Sequence, residues 1–277
     1  MREIRAQTWT EGSKILGVNV PASSIRPTTL TGQALAGRAA RDPLSTQNLS
    51  LQVPGTPAYV LGSALAVHQQ VGTIDDWCIT GAPGDAEALF RALITHHGID
   101  SASLPWRGVE VLAAEMRFTE VETWDFRWTE AAPAVRTGAP AVAWLDAAAD
   151  VEVQALLDEA FPTAVLQTGH PVVRRWAGIR DGNGALIACA ADSTTARGLG
   201  FLSSIACAPA ARGAGIGAAI TAWASAQLVA EHGRAGLWVN HPNVAARRVY
   251  DALGFRDDHW MAWVDLRPAT PAPPPLP

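Results

Sequence analysis

Cysteine and lysine are scarce in this chain. The three cysteines, Cys78, Cys189 and Cys207, are widely spaced and form no Cys-x-x-Cys pair. Their odd number and apolar surroundings argue against a disulfide framework and are typical of a protein kept in a reducing cytosol. Lysine occurs once, at Lys14, so arginine supplies the other 20 of the 21 basic residues. This bias is typical of GC-rich coding, and we draw no mechanism from it.

The sequence also lacks long hydrophobic runs and an excess of positive charge. No apolar run reaches the roughly 18 residues of a membrane helix, and the N-terminus is charged where a signal peptide needs an apolar segment. The formal net charge is −5 and the pI is near 5.8, whereas nucleic-acid-binding proteins usually present a basic face. We therefore expect a cytoplasmic protein with no membrane and no nucleic-acid partner.

With 48% apolar and 17% charged residues, the 277-residue chain has the composition of a globular protein. At about 150 residues per domain, this length predicts two modest domains or one large one. Pro, Gly and Ala interrupt the periodic pattern between Thr129 and Pro140, which places a boundary near Ala134. We predict an N-terminal α/β domain over residues 1–133, a second domain over 134–267 and a disordered proline-rich tail over 268–277.

The second half predicts a mixed sheet with flanking helices. A strand at Ala141–Asp146 and a helix at Asp150–Phe161 precede a hairpin that turns at Asp181–Gly184. The remaining elements are strands at Gly200–Ala208, Leu237–His241 and His259–Leu266 and helices at Gly215–His232 and Asn243–Leu253. Since the strands are joined both by a tight turn and by helices, antiparallel and parallel pairing are both expected.

The first half has a similar but weaker pattern. A strand at Asp76–Thr80, a helix at Asp85–His97, an apolar helix at Val109–Phe118 and an aromatic strand at Trp124–Trp128 follow the same rough order. This half is therefore either an unrelated α/β domain or a degenerate second copy of the same fold. Residues 1–55 show no sustained period and indicate no function.

The most informative stretch runs from Ser203 to Ile220. Here a β-rich run, a proline and an arginine precede Gly213, Gly215 and Gly217, which allow a tight turn before a helix whose first N–H groups attract anions. The pattern predicts a pyrophosphate site. A Gly-x-Gly-x-x-Gly/Ala dinucleotide motif is also met, but Pro-Ala-Ala-Arg separates it from the strand and no carboxylate ends the next strand. A Walker loop is excluded because no lysine follows the glycines.

Two motifs resemble signatures of the GCN5-related N-acetyltransferase (GNAT) superfamily. Arg212, Gly215 and Gly217 match its coenzyme A loop, which follows a bulged hydrophobic strand and a proline. The pattern Asn-x-x-Ala-x-x-x-Tyr-x-x-x-Gly-Phe is met in full by Asn243, Ala246, Tyr250, Gly254 and Phe255. The resemblance covers about Ala134 to Arg267 and implies an α/β (α+β) fold with a mixed, centrally splayed β-sheet flanked by helices.

The resemblance also assigns roles to individual residues. Coenzyme-binding residues are expected on the strand, in the loop and at the cap of a later helix, namely Ile205, Ala206, Cys207, Arg212, Gly213, Ala214, Gly215, Ile216, Gly217 and Asn243. The N–H at or near Cys207 would bond the thioester oxygen, while the thiol itself is expected to be structural. Tyr250 is the predicted catalytic residue, which protonates or hydrogen-bonds the leaving thiolate.

A general base is missing from its usual place. Many superfamily members carry a Glu on or beside the strand before the loop, but Phe201–Ser204 contains no carboxylate. The open alternatives are Asp192, Glu159, His170 and a water chain past Ser203.

The charged side chains outside these motifs have simpler interpretations. Arg247 and Arg248 are expected on a solvated helix face, with Arg247 spaced to pair with Asp251. The histidines show no metal-ligand spacing, so no metal is expected.

Together these features predict an acyl-CoA-dependent N-acyltransferase. The resemblance implies acetyl-CoA as cosubstrate and a small-molecule or peptide primary amine as acceptor, which attacks the thioester directly in a ternary complex. The alternative is a catalytically silent CoA-binding module that has lost the carboxylate and binds a partner through its first half. A dinucleotide oxidoreductase is a third interpretation.

Overall fold

The computed structural model describes residues 13–15, 18–20, 26–71, 74–134 and 137–266. The strands in these ranges are β1 Ser13–Ile15, β2 Val18–Val20, β3 Thr28–Leu30, β4 Ala58–Leu61, β5 Ala64–Val71, β6 Ile74–Thr80, β7 Ser101–Pro105, β8 Glu120–Thr129, β9 Val142–Trp144, β10 Arg175–Arg180, β11 Leu186–Asp192, β12 Gly200–Cys207, β13 Ala235–Asn240 and β14 Arg256–Asp265. The helices are α1 Gly32–Ala39, α2 Pro43–Ser50, α3 Pro83–His97, α4 Trp106–Leu112, α5 Asp150–Ala160, α6 Ile216–His232 and α7 Val244–Ala252. The predicted tail at 268–277 lies outside the described residues.

Twelve of these strands form one sheet in the order β3-β4-β5-β6-β7-β14-β8-β13-β12-β11-β10-β9. β14, the last strand, lies between β7 and β8. Its residues from Met261 to Asp265 pair antiparallel with β7, and on its other side it pairs antiparallel with β8. β8 in turn pairs with β13. The final strand of each half is therefore built into the other half's part of the sheet.

The two halves repeat one arrangement of elements. In each, an antiparallel pair is followed by a third strand, a helix, a strand parallel to the third, a shorter helix and a long final strand. These elements run from β4 to β8 in the first half and from β10 to β14 in the second, with β6–β7 and β12–β13 as the parallel pairs. The predicted mixed α/β class is confirmed, and the first half has the layout of a degenerate copy.

The predicted boundary near Ala134 falls in the coil between β8 and β9. Because β14 pairs with β7 and β8 pairs with β13, strands of the two halves interleave across this boundary. We keep residues 1–133 and 134–267 as a proposed division of the sequence, although it does not divide the sheet.

Helices cover both faces of the second half's sheet. α5 packs Val153, Leu156 and Leu157 against one face, and α6 packs Ile220 and Leu228 against the other. Successive residues of β11 alternate between these two clusters, as the period of a strand requires. Within the described ranges, every helix is too short or too polar to cross a membrane.

One helix is shorter than the sequence predicts. The apolar spacing across Val109–Phe118 predicts a helix, but α4 ends at Leu112. Val109, Leu112 and Met116 are nevertheless buried in the same cluster. The apolar spacing continues past the last helical residue because Met116 is buried in this cluster although it lies outside the helix.

His259 joins the last strand to the first helices. Its Nε2 lies 2.7 Å from Oδ1 of Asp42, which caps α2, and its Nδ1 lies 2.7 Å from Oδ1 of Asp258. Ionised carboxylates only accept hydrogen bonds, so both ring nitrogens must donate and the ring must be protonated. Burial opposes that charge, but the bonds and charges of Asp42 and Asp258 outweigh it and raise the pKa of His259. Burial likewise opposes ionisation of Asp42, yet His259 and Ser45 hold its pKa below the ordinary value.

We expect His259→Gln to destabilise the protein in a pH-dependent way. The raised pKa of His259 gives a stabilisation that is present below its unfolded pKa and is lost as pH rises through the folded value. The lowered pKa of Asp42 means that its carboxylate also stabilises the fold, and this contribution is lost only when the pH falls through that lowered value. Urea unfolding should show a loss of about 1.5–3 kcal/mol at pH 6 and a much smaller loss at pH 9. The control is His170→Gln. The Nδ1 of His170 accepts a hydrogen bond from the Val172 N–H, whereas both ring nitrogens of His259 donate to carboxylates. Equal losses at both pH values would contradict the assignment.

Candidate functional site

The opening between β12 and β13 forms the candidate site. The two strands pair only from Gly200–Leu202 to Ala235–Leu237 and then separate, although both continue. Ala208 donates its N–H to Ile187 O on the β11 side at 2.9 Å. Because backbone N–H groups alternate between the two edges of a strand, the N–H of Cys207 points into the opening. This edge of β12 can bond an extended ligand as an added strand would be bonded.

A bulge in β12 lies at the start of this opening. The pairing with β11 shifts register between Cys189 and Ala191. Ser204 has φ +48°, the one positive φ outside glycine among the residues that the structure describes. Its hydroxyl donates to Leu166 O at 2.7 Å, which offsets part of a strain that costs of order 1–3 kcal/mol. The bulge expected before the loop is present.

The loop after β12 leads into α6 through two glycines with positive φ. Gly213 has φ +81° and Gly215, the N-cap of α6, has φ +80°, a region that favours glycine. No side chain caps α6, so the first N–H groups of the helix are open to an anion. Arg212 is already bonded, because it donates from Nε to Cys207 O at 3.3 Å and from Nη2 to Ala160 O at 3.1 Å. Its guanidinium therefore ties the loop to β12 and to the end of α5.

Tyr250 lies on α7 in the same buried cluster as Cys207 and is 7% exposed. Burial raises the pKa of its hydroxyl, and the nearby Cys207 thiol adds to the shift. The phenol therefore stays protonated at neutral pH and can only donate to an anion beside it. Asn243 is the N-cap of the same helix, and its Oδ1 accepts a hydrogen bond from Ala246 N at 3.1 Å. At about 1.5 Å per residue, it lies about 10 Å from Tyr250 along the helix axis.

The structure gathers some of the predicted residues around Cys207. Arg212 donates to its carbonyl oxygen, Tyr250 belongs to the buried cluster against which Cys207 packs, and a Cβ at Gly217 would lie 3.5 Å from its Sγ. Asn243 lies at the far end of α7 from Tyr250. The predicted loop and the predicted tyrosine thus meet at the C-terminal end of β12.

None of the three side-chain candidates for a general base has a contact that joins it to Tyr250 within the described ranges. Asp192 is fully buried and accepts from Arg175 Nε at 2.9 Å, and the same guanidinium bonds Glu231 near the end of α6. Glu159 is exposed on α5. Ser203, past which the alternative water chain would run, shares a hydrogen bond of 2.7 Å with Ser193. The base is not assigned.

A buried ion cluster beside the opening was not expected from the sequence. Asp125 on β8 is fully buried, and its carboxylate contacts His241 Nδ1 at 2.7 Å, Arg247 Nε at 2.7 Å and Arg127 Nη2 at 3.1 Å. Arg127 is equally buried and also reaches Asp251 at 2.6 Å and Asp257 at 2.8 Å. The alternation of charged and aromatic residues in Trp-Asp-Phe-Arg-Trp was the available signal, because it places Asp125 and Arg127 on one face of a strand.

The expected pairing of Arg247 with Asp251 is wrong. Arg247 Nε lies 2.7 Å from Asp125, and Asp251 receives Arg127 instead. Arg247 therefore faces the sheet, where a fully buried carboxylate attracts it more strongly than an exposed one in water. Arg248 is exposed, as expected.

The site thus consists of a mixed sheet in which two neighbouring parallel strands, β12 and β13, separate toward their C-terminal ends. Residues 177–264 match the family model described as FR47-like protein. A GCN5-related N-acetyltransferase from Kribbella flavida is similar with a TM-score of 0.55 and 18% identity, over 86% of this chain and 98% of that one. A GNAT-family acetyltransferase from Colwellia psychrerythraea gives a TM-score of 0.53 and 11% identity, over 88% and 100%. No curated protein matches the sequence. The chain has the GNAT fold, as its motifs predicted, and contains a segment that matches the FR47-like model.

We expect Asp125→Ala to destabilise the protein strongly. The change removes one partner of the fully buried Arg127 and the 2.7 Å contact of Arg247, and breaking a buried pair typically costs about 3–5 kcal/mol. Asp251→Ala is the matched control, because it removes another carboxylate from Arg127 at a position that is 58% exposed. That variant should lose less than about 1 kcal/mol. Equal losses in urea unfolding would show that burial of Asp125 does not set its contribution.

Proposed function

We propose that this protein is an acyl-CoA-dependent N-acyltransferase that transfers acetyl from acetyl-CoA to a primary amine. The observation that carries the proposal is the separation of β12 from β13 beside a glycine loop and an uncapped helix start. The GNAT fold and the FR47-like segment support it. A cytoplasmic location remains a prediction from the sequence.

The residues around the opening suit an acyl-CoA molecule. The edge of β12 from Ile205 to Cys207 would bond the amides of the pantetheine arm, and the N–H groups from Gly213 to Gly217 would hold the pyrophosphate. Asn243 already uses its Oδ1 for the helix cap, so its amide nitrogen is the group left for a ligand. When bound, acyl-CoA supplies an acyl group activated as a thioester.

Two groups of this chain would act on the charges that develop. The N–H of Cys207 points into the opening and would donate to the carbonyl oxygen as it becomes negative. Tyr250 would donate a hydrogen bond to the departing sulfur. Because its pKa is raised further above that of a thiol, at about 8.5, full proton transfer is uphill. Hydrogen bonding is therefore its main contribution.

The acceptor must be a neutral amine when it attacks. If water removes the proton, amines with a pKa near neutrality fit best, such as an α-amino group at about 7.7–8.0 compared with about 10.4 for a lysine side chain. Comparing the transfer rate to an α-amino group with the rate to a lysine side chain tests this preference.

A catalytically silent CoA-binding module is the second candidate. It is favoured by the commitment of Asp192 to Arg175 and of Ser203 to Ser193. Both candidates bind CoA, but only a transferase releases thiol from acetyl-CoA when a panel of amines is added. CoA binding without thiol release across that panel would favour the module.

We expect Gly215→Glu to abolish CoA binding. The new carboxylate would lie where the α6 N-terminus offers N–H groups to the pyrophosphate and would repel it. The control is Gly138→Glu, because Gly138 has a similar φ of +77° and equally open surroundings, so it carries the same backbone strain away from the loop. Calorimetric titration with CoA should show binding to the control and none to Gly215→Glu. Unchanged affinity in a folded Gly215→Glu variant would reject the phosphate-loop assignment.

We expect Tyr250→Phe to lower kcat by roughly 10²- to 10⁴-fold, the usual contribution of acid assistance. The KM for acetyl-CoA should stay within a few-fold, because the phenyl ring keeps the packing against Phe255. Tyr59→Phe is the control, since Tyr59 is the other tyrosine of the chain and lies in the first half. A nearly full kcat with a lowered melting temperature would make Tyr250 a purely structural residue.

A further inference from the structure

A cavity of about 610 Å³ lies where the first half of the chain meets the start of β14. It is bounded by the C-terminal ends of β6 and β7, the corner between α1 and α2, and the start of β14. Its volume is in the range of about 300–1,000 Å³ that is typical of small-molecule sites. None of its lining residues is a predicted coenzyme residue.

The cavity occupies the place in the first half that the β12–β13 opening occupies in the second. β6 and β7 are the corresponding parallel strands and pair at a single position, Cys78 with Ser103. Only Gly81 and Ala82 separate β6 from α3, and Pro83, which has no N–H, is the first residue of that helix. The first half therefore has no long glycine loop for a pyrophosphate between β6 and α3.

The charged lining favours an anion. Arg38, Arg41 and Arg107 line the cavity, and so do Asp42 and Asp258. Both carboxylates bond the protonated ring of His259, which offsets one of their two negative charges, so the three arginines leave the lining positive. Arg38 is fixed by its bonds to Gly62 O at 2.7 Å and Ala64 O at 3.2 Å.

Two of these arginines keep their full bonding capacity. The exposed side chains of Arg41 and Arg107 have no hydrogen-bond or ion-pair partner in the part of the chain that the structure describes. A guanidinium offers a planar fork of donors that matches a carboxylate or a phosphate. These two side chains are therefore the available donors at the rim.

The remaining wall contains a flat aromatic surface. The rings of Trp106 and Trp260 stack at 5.2 Å with an interplanar angle of 19°, and Trp260 stacks in turn on His241 at 4.2 Å. Other apolar residues and three hydroxyl side chains also line the cavity, namely Leu44, Leu65, Pro83, Pro105, Met261, Ser45, Ser63 and Thr80. Trp260 is still 39% exposed, so part of this surface is open to a ligand.

We propose that this cavity binds a small planar organic anion, with its anionic group on Arg41 and Arg107 and its ring against Trp106 and Trp260. None of the residues that line this cavity is one that the proposed acyl transfer uses. A carboxylate and a phosphate satisfy the same donors, so both are tested.

Calorimetric titration of the full chain with 2-naphthoate and 2-naphthylmethylamine separates charge from ring shape. Naphthoate should bind at least tenfold more tightly than the amine, which has the same ring and the opposite charge. It should also bind at least tenfold more tightly than acetate, which has the charge without the ring. The tighter of 2-naphthoate and 2-naphthyl phosphate identifies the preferred anionic group. Equal binding of naphthoate and the amine, or no binding of naphthoate and naphthyl phosphate, would overturn the proposal.

The double variant Arg41→Ala/Arg107→Ala locates the site. Both side chains are exposed and without partners in the described ranges, so the fold should persist, and a melting curve checks this. Affinity for naphthoate should fall at least tenfold. Arg117→Ala, which removes an exposed arginine outside the cavity, is the matched control and should bind as the unmodified protein does. Unchanged affinity in the double variant would place naphthoate elsewhere and overturn the assignment.

Discussion

The antiparallel pairing of β14 with both β7 and β8 is the contact on which the rest of the structure depends. Without it, β7 and β8 would each present an unpaired edge in the middle of the molecule. The same strand carries Asp257, Asp258 and His259, which reach Arg127, Trp128 and Asp42. One strand thus completes the hydrogen bonding of the sheet and brings the first helices into contact with the second half.

The buried carboxylate of Asp125 connects this central region to the candidate site. It accepts a hydrogen bond from His241 at the end of β13 and forms an ion pair with Arg247 on α7, the helix that also carries Tyr250. A charge without access to water needs several partners, so the ends of these elements are held at fixed distances from β8. The position of Tyr250 over β12 therefore depends on a strand from the other half of the chain.

The sequence predicts local features of this fold well and distant ones poorly. The loop from Arg212 to Gly217, the helix after it and the hairpin at Asp181–Gly184 follow from turn and cap preferences within a few residues. In the first half, α2 begins with an Asp cap and a proline, but its eight residues are too few for a clear period. The exchange of β8 and β14 and the contacts of Asp125 with His241 and Arg247 join residues more than a hundred positions apart, which no local pattern records.

The two halves share a layout but differ at the turn that decides what each can bind. In the second half, the chain from Ala208 to Gly215 makes a short helical turn and two positive-φ glycines before α6 begins with free N–H groups. In the first half, a Cβ at Gly81 would lie 2.7 Å from the Ala64 backbone, and a proline opens α3. That close packing leaves no room for a loop around a pyrophosphate. In the first half, three arginine side chains line a cavity at the corresponding place, so the two ligands that we propose differ because the turns of one shared layout differ.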